Sequence, residues 1–446
     1  MSSVSAGRLL RRGLCASAAG ALVVTGLVTG LGGGVAVADE AQSDQLWIQA
    51  PYEQAVLVAP DGGTAPYRSL ALGLYHDNGT FAVTDGRLTV DVSGLAGVAE
   101  VEWPAACTPD AAGTVAVCDT GDVPTRPGPQ VELKLRGVPG ATAGAQGTIE
   151  YAATATGGPD GTLTAPEGAA ETFVTLGSGP DLGVPAPQDV THAAPGTTLT
   201  APFAVTNTGD ETAHGFTVRM STSYGLDLLT QFPQCTAKAP EGGWYMKEVD
   251  CTFDTDVAPG ATVQLPGDVR LAVNEAALYD RFDIDVEPGG GATDLSGADN
   301  YRAWSIQADN TADFRVRGTE VRGAAGTTVD ATFRFVNRGP AWVAHVFSGD
   351  APALVDFTVP EGTTAVGVPD LCRPQSAGAT RYTCYLPSAA YPGLKADYTF
   401  ELRVDRVVPD ATGTVVAHPE RGASTPFAFD PKARNNTARV VVNPSA

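Results

Sequence analysis

Six cysteines stand in three close pairs, Cys107 with Cys118, Cys235 with Cys251 and Cys372 with Cys384, while a seventh, Cys15, lies near the N-terminus. Thiols this close in sequence can close short loops as disulfides or ligate a metal. Metal ligation calls for Cys-x-x-Cys spacing or neighbouring histidines, and neither accompanies these pairs. The expected chemistry is therefore three local disulfides, which also requires an oxidising compartment.

Acidic residues make the second candidate. Asp283, Asp285 and Glu287 alternate, and Asp294 and Asp299 follow across a Gly-rich stretch. On a strand the first three share a face. Two chemistries fit them: hard oxygen ligands for Ca²⁺, or charges that keep an exposed edge strand from pairing with another chain. The spacing matches no EF-hand, so the edge-strand reading is preferred and Ca²⁺ is the only candidate cofactor.

Aromatic rings could form a platform for sugars. Trp244 and Tyr245 lie inside the Cys235–Cys251 loop, and Trp342 follows a turn, so these three are the expected exposed binding residues; packing in a core or rim is the competing use. Of five histidines, His214 and His345 fall at matching places, which points to rings packed at a strand edge rather than to catalysis. The chain has no Gly-x-Ser-x-Gly, His-Glu-x-x-His or phosphate-loop motif, and no enzyme activity is expected.

These residues hang on a repeat. Gly196-Thr-Thr-Leu-Thr-Ala-Pro-Phe-Ala-Val-Thr-Asn207-Thr-Gly209 aligns without a gap to Gly326-Thr-Thr-Val-Asp-Ala-Thr-Phe-Arg-Phe-Val-Asn337-Arg-Gly339. Leu199, Ala201, Phe203 and Val205 alternate with more polar residues, as do Val329, Ala331, Phe333 and Phe335. That is the period of a half-buried strand ending in a turn. Ala-His-x-Phe follows in both copies (Ala213–Phe216, Ala344–Phe347), then the cysteine pair, Pro-Gly (Pro259-Gly260, Pro392-Gly393), and Asn-Thr-Ala at Asn310 and Asn436. Leu70, Leu72, Leu74, Cys107, Cys118, Pro127-Gly128, Val131, Leu133 and Leu135 repeat the order more faintly. The reading is all-β: three tandem immunoglobulin-like β-sandwiches over residues 44–176, 181–316 and 317–443. Gly177–Pro180 reads as a hinge. Asp313–Val316 reads as shared between the last two units, which would stiffen them.

The order Asp181-Leu-Gly-Val184, Gly196-Thr-Thr, Phe203-x-Val-x-Asn207-x-Gly209, Cys251, Pro259-Gly260, Asn310-Thr-Ala resembles bacterial cell-surface repeats known as a domain of unknown function. It is similar also to the cell-adhesion-related domain of bacterial exported proteins. The resemblance covers 181–443, and 44–176 more weakly. It implies an immunoglobulin-like fold and display outside the cell, and it carries over no catalytic residue.

Residues 1–38 read as a secretion signal. Arg8, Arg11 and Arg12 precede a Leu/Val/Ala/Gly run, and Ala36-Val-Ala38 supplies the small residues of a cleavage site. Its removal takes Cys15 and three arginines, so the formal charge of −22 becomes −25. So acidic a chain repels phosphates, which argues against nucleic acid as a partner. With no second apolar run of spanning length, the chain is expected to be secreted or loosely held at the cell wall. Its expected partner is an extracellular protein or glycan, met by a structural or adhesion-type surface or, alternatively, by a carbohydrate-binding array.

Overall fold

The alternating segments become strands, and the computed structural model describes them over residues 43–445, apart from 61–62, 187, 202, 231, 239–245 and 421–424. The expected signal, Trp244 and Tyr245 lie outside the described residues. In the strand Lys395–Val404, Tyr398, Phe400, Leu402 and Val404 are all buried while the residues between them face out. Leu70, Leu72 and Leu74 pack inward in Arg68–His76, opposite Leu133 and its neighbours in Val131–Gly137.

Strand pairing yields one plan three times. In the third copy a four-stranded sheet runs Ala312–Arg317, Thr328–Pro340, Lys395–Val404, Thr363–Gly367. It faces a six-stranded sheet ordered Glu320–Val321, Thr437–Val442, Ala411–His418, Leu354–Thr358, Arg381–Tyr385, Cys372–Pro374. The short strand Glu320–Val321 pairs in parallel with the last strand. Equivalent parallel pairs close the first copy (Glu53–Leu57 with Glu171–Gly177) and the second (Val190–Ala193 with Tyr301–Ala308). Two facing sheets with this central order form an immunoglobulin-like β-sandwich. A separate hydrophobic cluster fills each copy, within residues 46–176, 182–308 and, with Leu278 added, 312–442.

The paired motifs of the sequence meet in space. Asn207 is fully buried; its side-chain amide donates to the carbonyls of Glu211 and Val257, and its Oδ1 accepts from Asp181 N and Gly209 N. Its backbone C=O accepts from Gly260 N, so the Asn-x-Gly turn is bolted to the distant Pro-Gly turn. Asn337 repeats this with Ala341, Ala390, Gly339 and Gly393. A buried amide with every polar atom matched specifies the turn far more tightly than turn propensity alone.

Ala312–Arg317, expected to close the second unit, pairs with Thr328–Pro340. Asp313–Val316 is thus not shared, and Asn310-Thr-Ala opens a sandwich whereas Asn436-Thr-Ala leads into the closing strand. In the expected hinge Gly177–Pro180, Ser178 donates to Asp210, and Gly179 N donates to the same carboxylate at 2.7 Å.

Candidate functional site

Each cysteine pair sits at the root of the hairpin that ends the large sheet. Between the strand on the margin of the small sheet and the next strand of that sheet, the chain crosses to the large sheet and adds two strands to its free side. The first hairpin is Cys107–Pro109 with Val115–Gly121, the second Cys235–Lys238 with Lys247–Val257, the third Cys372–Pro374 with Arg381–Tyr385. In every one the two cysteines face each other directly across the pairing and are bonded. The inner sulfurs belong to Cys118, Cys251 and Cys384, all fully buried. Each bridge therefore ties the outermost strand to the core, worth roughly 3 kcal/mol through the unfolded chain. The tips of the first and third hairpins, residues 110–113 and 375–378, are exposed.

Trp342 is not on the surface. It is fully buried where the third sandwich meets the second, its indole between Tyr391, stacked at 6.0 Å, and Tyr224 at 5.8 Å. Its Nε1–H donates at 3.0 Å to Asp280 Oδ1, and its backbone N–H donates to Ala276. A turn beside a neighbouring sandwich is an interior position, which a single-repeat reading misses. Asp280 also accepts from Ser223 Oγ, Gly225 N and Leu278 N, and meets no cation in these contacts. Burial holds its carboxyl above the usual range despite those donors.

The acidic strand serves the same joint. Tyr279–Pro288 is a central strand, between Ala213–Thr222 and Tyr301–Ala308, so the edge-strand reading fails. Asp283 takes a bidentate pair from Arg281 and a hydrogen bond from Tyr301. Arg281 in turn donates to Val346 O at 2.8 Å and covers the ring of Phe347 at 5.1 Å, both on the third sandwich. Asp285 lies 3.8 Å from Arg219, and burial raises its carboxyl. Glu287 is exposed. Asp294 accepts backbone N–H bonds from Leu182 and Ser296, at the opposite end of the sandwich from Asp280. Asp299 stands beside Gly183, on the same segment as Asp294, so the five acids expected as one Ca²⁺ site do not converge on a single point. Among the described residues no group of three or more His, Cys, Asp or Glu side chains is placed to hold a metal.

The matching histidines also part company with expectation. Both are exposed rather than packed, His214 bonding Asp256 at 3.1 Å. Phe216 is in the core, whereas its counterpart Phe347 is 62 % exposed under Arg281.

The joint between the first two sandwiches, expected only as a hinge, carries a contact by Arg68 that the sequence did not announce. It donates to Asp181 Oδ2 at 2.5 Å and to the hydroxyl and carbonyl oxygens of Thr208 at 2.6 Å. Asp181 is 1 % exposed, so this pair is largely desolvated. The signal available in sequence was only Asp181's place at the head of its repeat.

No family model matches this chain, and no curated protein does. Among solved structures it is similar to the I67–I69 I-band fragment of titin, at 7 % identity over 91 % of this chain and 99 % of that one, with a TM-score of 0.19. It is similar also to the Escherichia coli adhesin FdeC, at 11 % identity over 91 % and 98 %, with a TM-score of 0.19. Likenesses at this level carry no weight for fold or function; the sandwich architecture rests on the chain's own strand pairing. No helix of the described residues is long and apolar enough to cross a membrane.

Proposed function

We propose that this chain is a non-enzymatic structural or adhesion-type protein that works outside the cell, displaying disulfide-braced hairpins from a jointed row of three immunoglobulin-like domains. The observation that carries this reading is the hairpin itself. It recurs in all three copies as the outer two strands of the large sheet, and is bonded to the core while its described tips face solvent. A loop braced in this way loses little conformational entropy on meeting a partner. Three disulfides fit an oxidising compartment, and the leader-like residues 1–38 supply the route there. We take the domains as about 44–177, 181–308 and 312–443, a division that the strand pairing supports.

The partner is an extracellular protein or glycan. Replacing the third tip, residues 375–380, by a Gly/Ser loop that keeps Cys372 and Cys384 should abolish retention on the envelope fraction of the producing cells. The unfolding temperature should stay unchanged. Retention equal to that of the unaltered chain would sink the hairpin reading.

A further inference from the structure

The second and third sandwiches carry the same local device with one chemical difference. In the third, Asp430 Oδ2 accepts from Phe314 N at 3.1 Å and its Oδ1 from Lys432 N at 2.8 Å. In the second, Asp294 accepts in the same way from Leu182 N at 2.8 Å and Ser296 N at 3.0 Å. The segments Asp294–Asn300 and Asp430–Asn436 therefore correspond residue for residue, as do Asp181 and Asp313 just before Leu182 and Phe314.

At the fifth residue past that aspartate the two diverge. Asn435 donates its side-chain amide to Asp313 Oδ1 at 2.8 Å. The equivalent residue in the second sandwich is Asp299, which as a carboxylate has no hydrogen to give. Asp181 is 1 % exposed, yet its Oδ1 is buried with no hydrogen-bond partner among the described residues, and so is Asp299 Oδ1. Asp299 is held close to this segment: a Cβ built on Gly183 would stand 2.5 Å from its Oδ2. A buried carboxylate and a half-buried one whose Oδ1 is enclosed cannot both ionise cheaply at short range, and one proton between them supplies the hydrogen that the Asn435 amide supplies next door.

We propose that Asp181 and Asp299 share one proton in the folded chain, making the head of the second sandwich a proton-binding site at its joint with the first. The other oxygen of Asp181 stays with Arg68 and Thr208. The charged and titratable groups around the pair are Asp294 on the same loop, Arg302 on the following strand, and Arg68 with Tyr67 from the first sandwich. A cleft of about 740 Å³ lined by Arg68, Asp181 and Asp299 gives the proton a path from solvent. Burial, with the charge of Asp181 added, pushes Asp299 up to about 6; burial also pushes Asp294 up to about 6.

The direction follows from linkage. A carboxyl whose pKa is higher folded than unfolded stabilises the fold fully below its unfolded value, and that contribution is lost as the pH rises through the folded value. The second sandwich should therefore gain stability as the pH falls from about 8 to about 5. Asp299→Asn tests the cause. The variant should be at least as stable as the parent at the alkaline end, and its pH slope should drop by about one proton. The reciprocal Asn435→Asp should give the third sandwich a pH dependence that the parent lacks there. An Asp299→Asn chain with an unchanged slope overturns the proposal. So does one that is destabilised at the alkaline end or fails to fold, because asparagine already fills the equivalent place. A rise in unfolding temperature with added Ca²⁺ that Asp299→Asn removes would also overturn it, assigning the pair to a cation instead.

Discussion

The second and third sandwiches begin with the same fourteen-residue motif and end with different interiors. In the third, Thr328–Pro340 runs unbroken beside Lys395–Val404, and Thr332 and Thr399 bond across the pairing at 2.9 Å. Phe333 sits among Phe357, Tyr398 and Phe400 with ring centres 5.2 to 5.9 Å apart. In the second, the corresponding sheet is split: Thr198–Ala201 pairs with Val269–Val273, and Ala204–Asn207 with Thr262–Gln264. The sequence has Pro202 where the third copy has Thr332, and Leu265-Pro-Gly-Asp268 on the facing side. Proline has no N–H to donate to a ladder. Beside the split lies a cavity of about 450 Å³ walled by Phe203, Phe282 and Trp304. One motif thus accompanies an unbroken sheet over a closed aromatic core in one sandwich and a split sheet beside a cavity in the other.

The electrostatics differ in the same sense. The third sandwich neutralises Asp313 from within, through Lys432 and Asn435. The second takes its cation, Arg68, from the first. In its turn it supplies the buried carboxylate that receives Trp342 from the third. The middle unit thus exchanges buried polar contacts with both neighbours.

The largest test of this contrast is in the cores. Phe333→Ala should cost about 4 kcal/mol, since a filled aromatic cluster leaves a cavity, whereas Phe203→Ala should cost about 2 kcal/mol because its wall already borders one. Denaturant midpoints would measure both, and equal losses would break the comparison. Next come the cations. Arg68→Met strands a desolvated Asp181 and should cost about 3 kcal/mol, uncoupling the unfolding of the first two sandwiches. Lys432→Met should cost only about 0.5 kcal/mol, as Lys432 is 62 % exposed and Asp313 keeps Asn435. Between those two falls Trp342→Phe, which keeps the ring and removes one donor from Asp280, for about 2 kcal/mol. Because burial already raises Asp280, that loss should be greater in mildly alkaline than in mildly acidic buffer; a pH-independent loss would reduce the contact to packing.

Strand faces and cysteine pairs were legible beforehand, because both are local. Alternation with period two states which side chains share a face, and Tyr398, Phe400 and Leu402 turned inward as that pattern requires. Six cysteines in three close pairs left little choice of partner once the compartment was taken to be oxidising. The fates of matched motifs were not legible. Ala-His-x-Phe occurs twice, yet Phe216 is in a core and Phe347 lies under Arg281. Trp342 follows a turn, and a turn faces solvent unless another sandwich is set against it.

What the sequence by itself determined, then, is the architecture of each unit: its strands, its inward faces and its disulfides. Only the tertiary structure decided which polar residues serve a joint and which face water. The physical reason is that burial of a charge depends on what is packed beside it, and for Asp181 and Asp280 the partners that matter, Arg68 and Trp342, come from another sandwich.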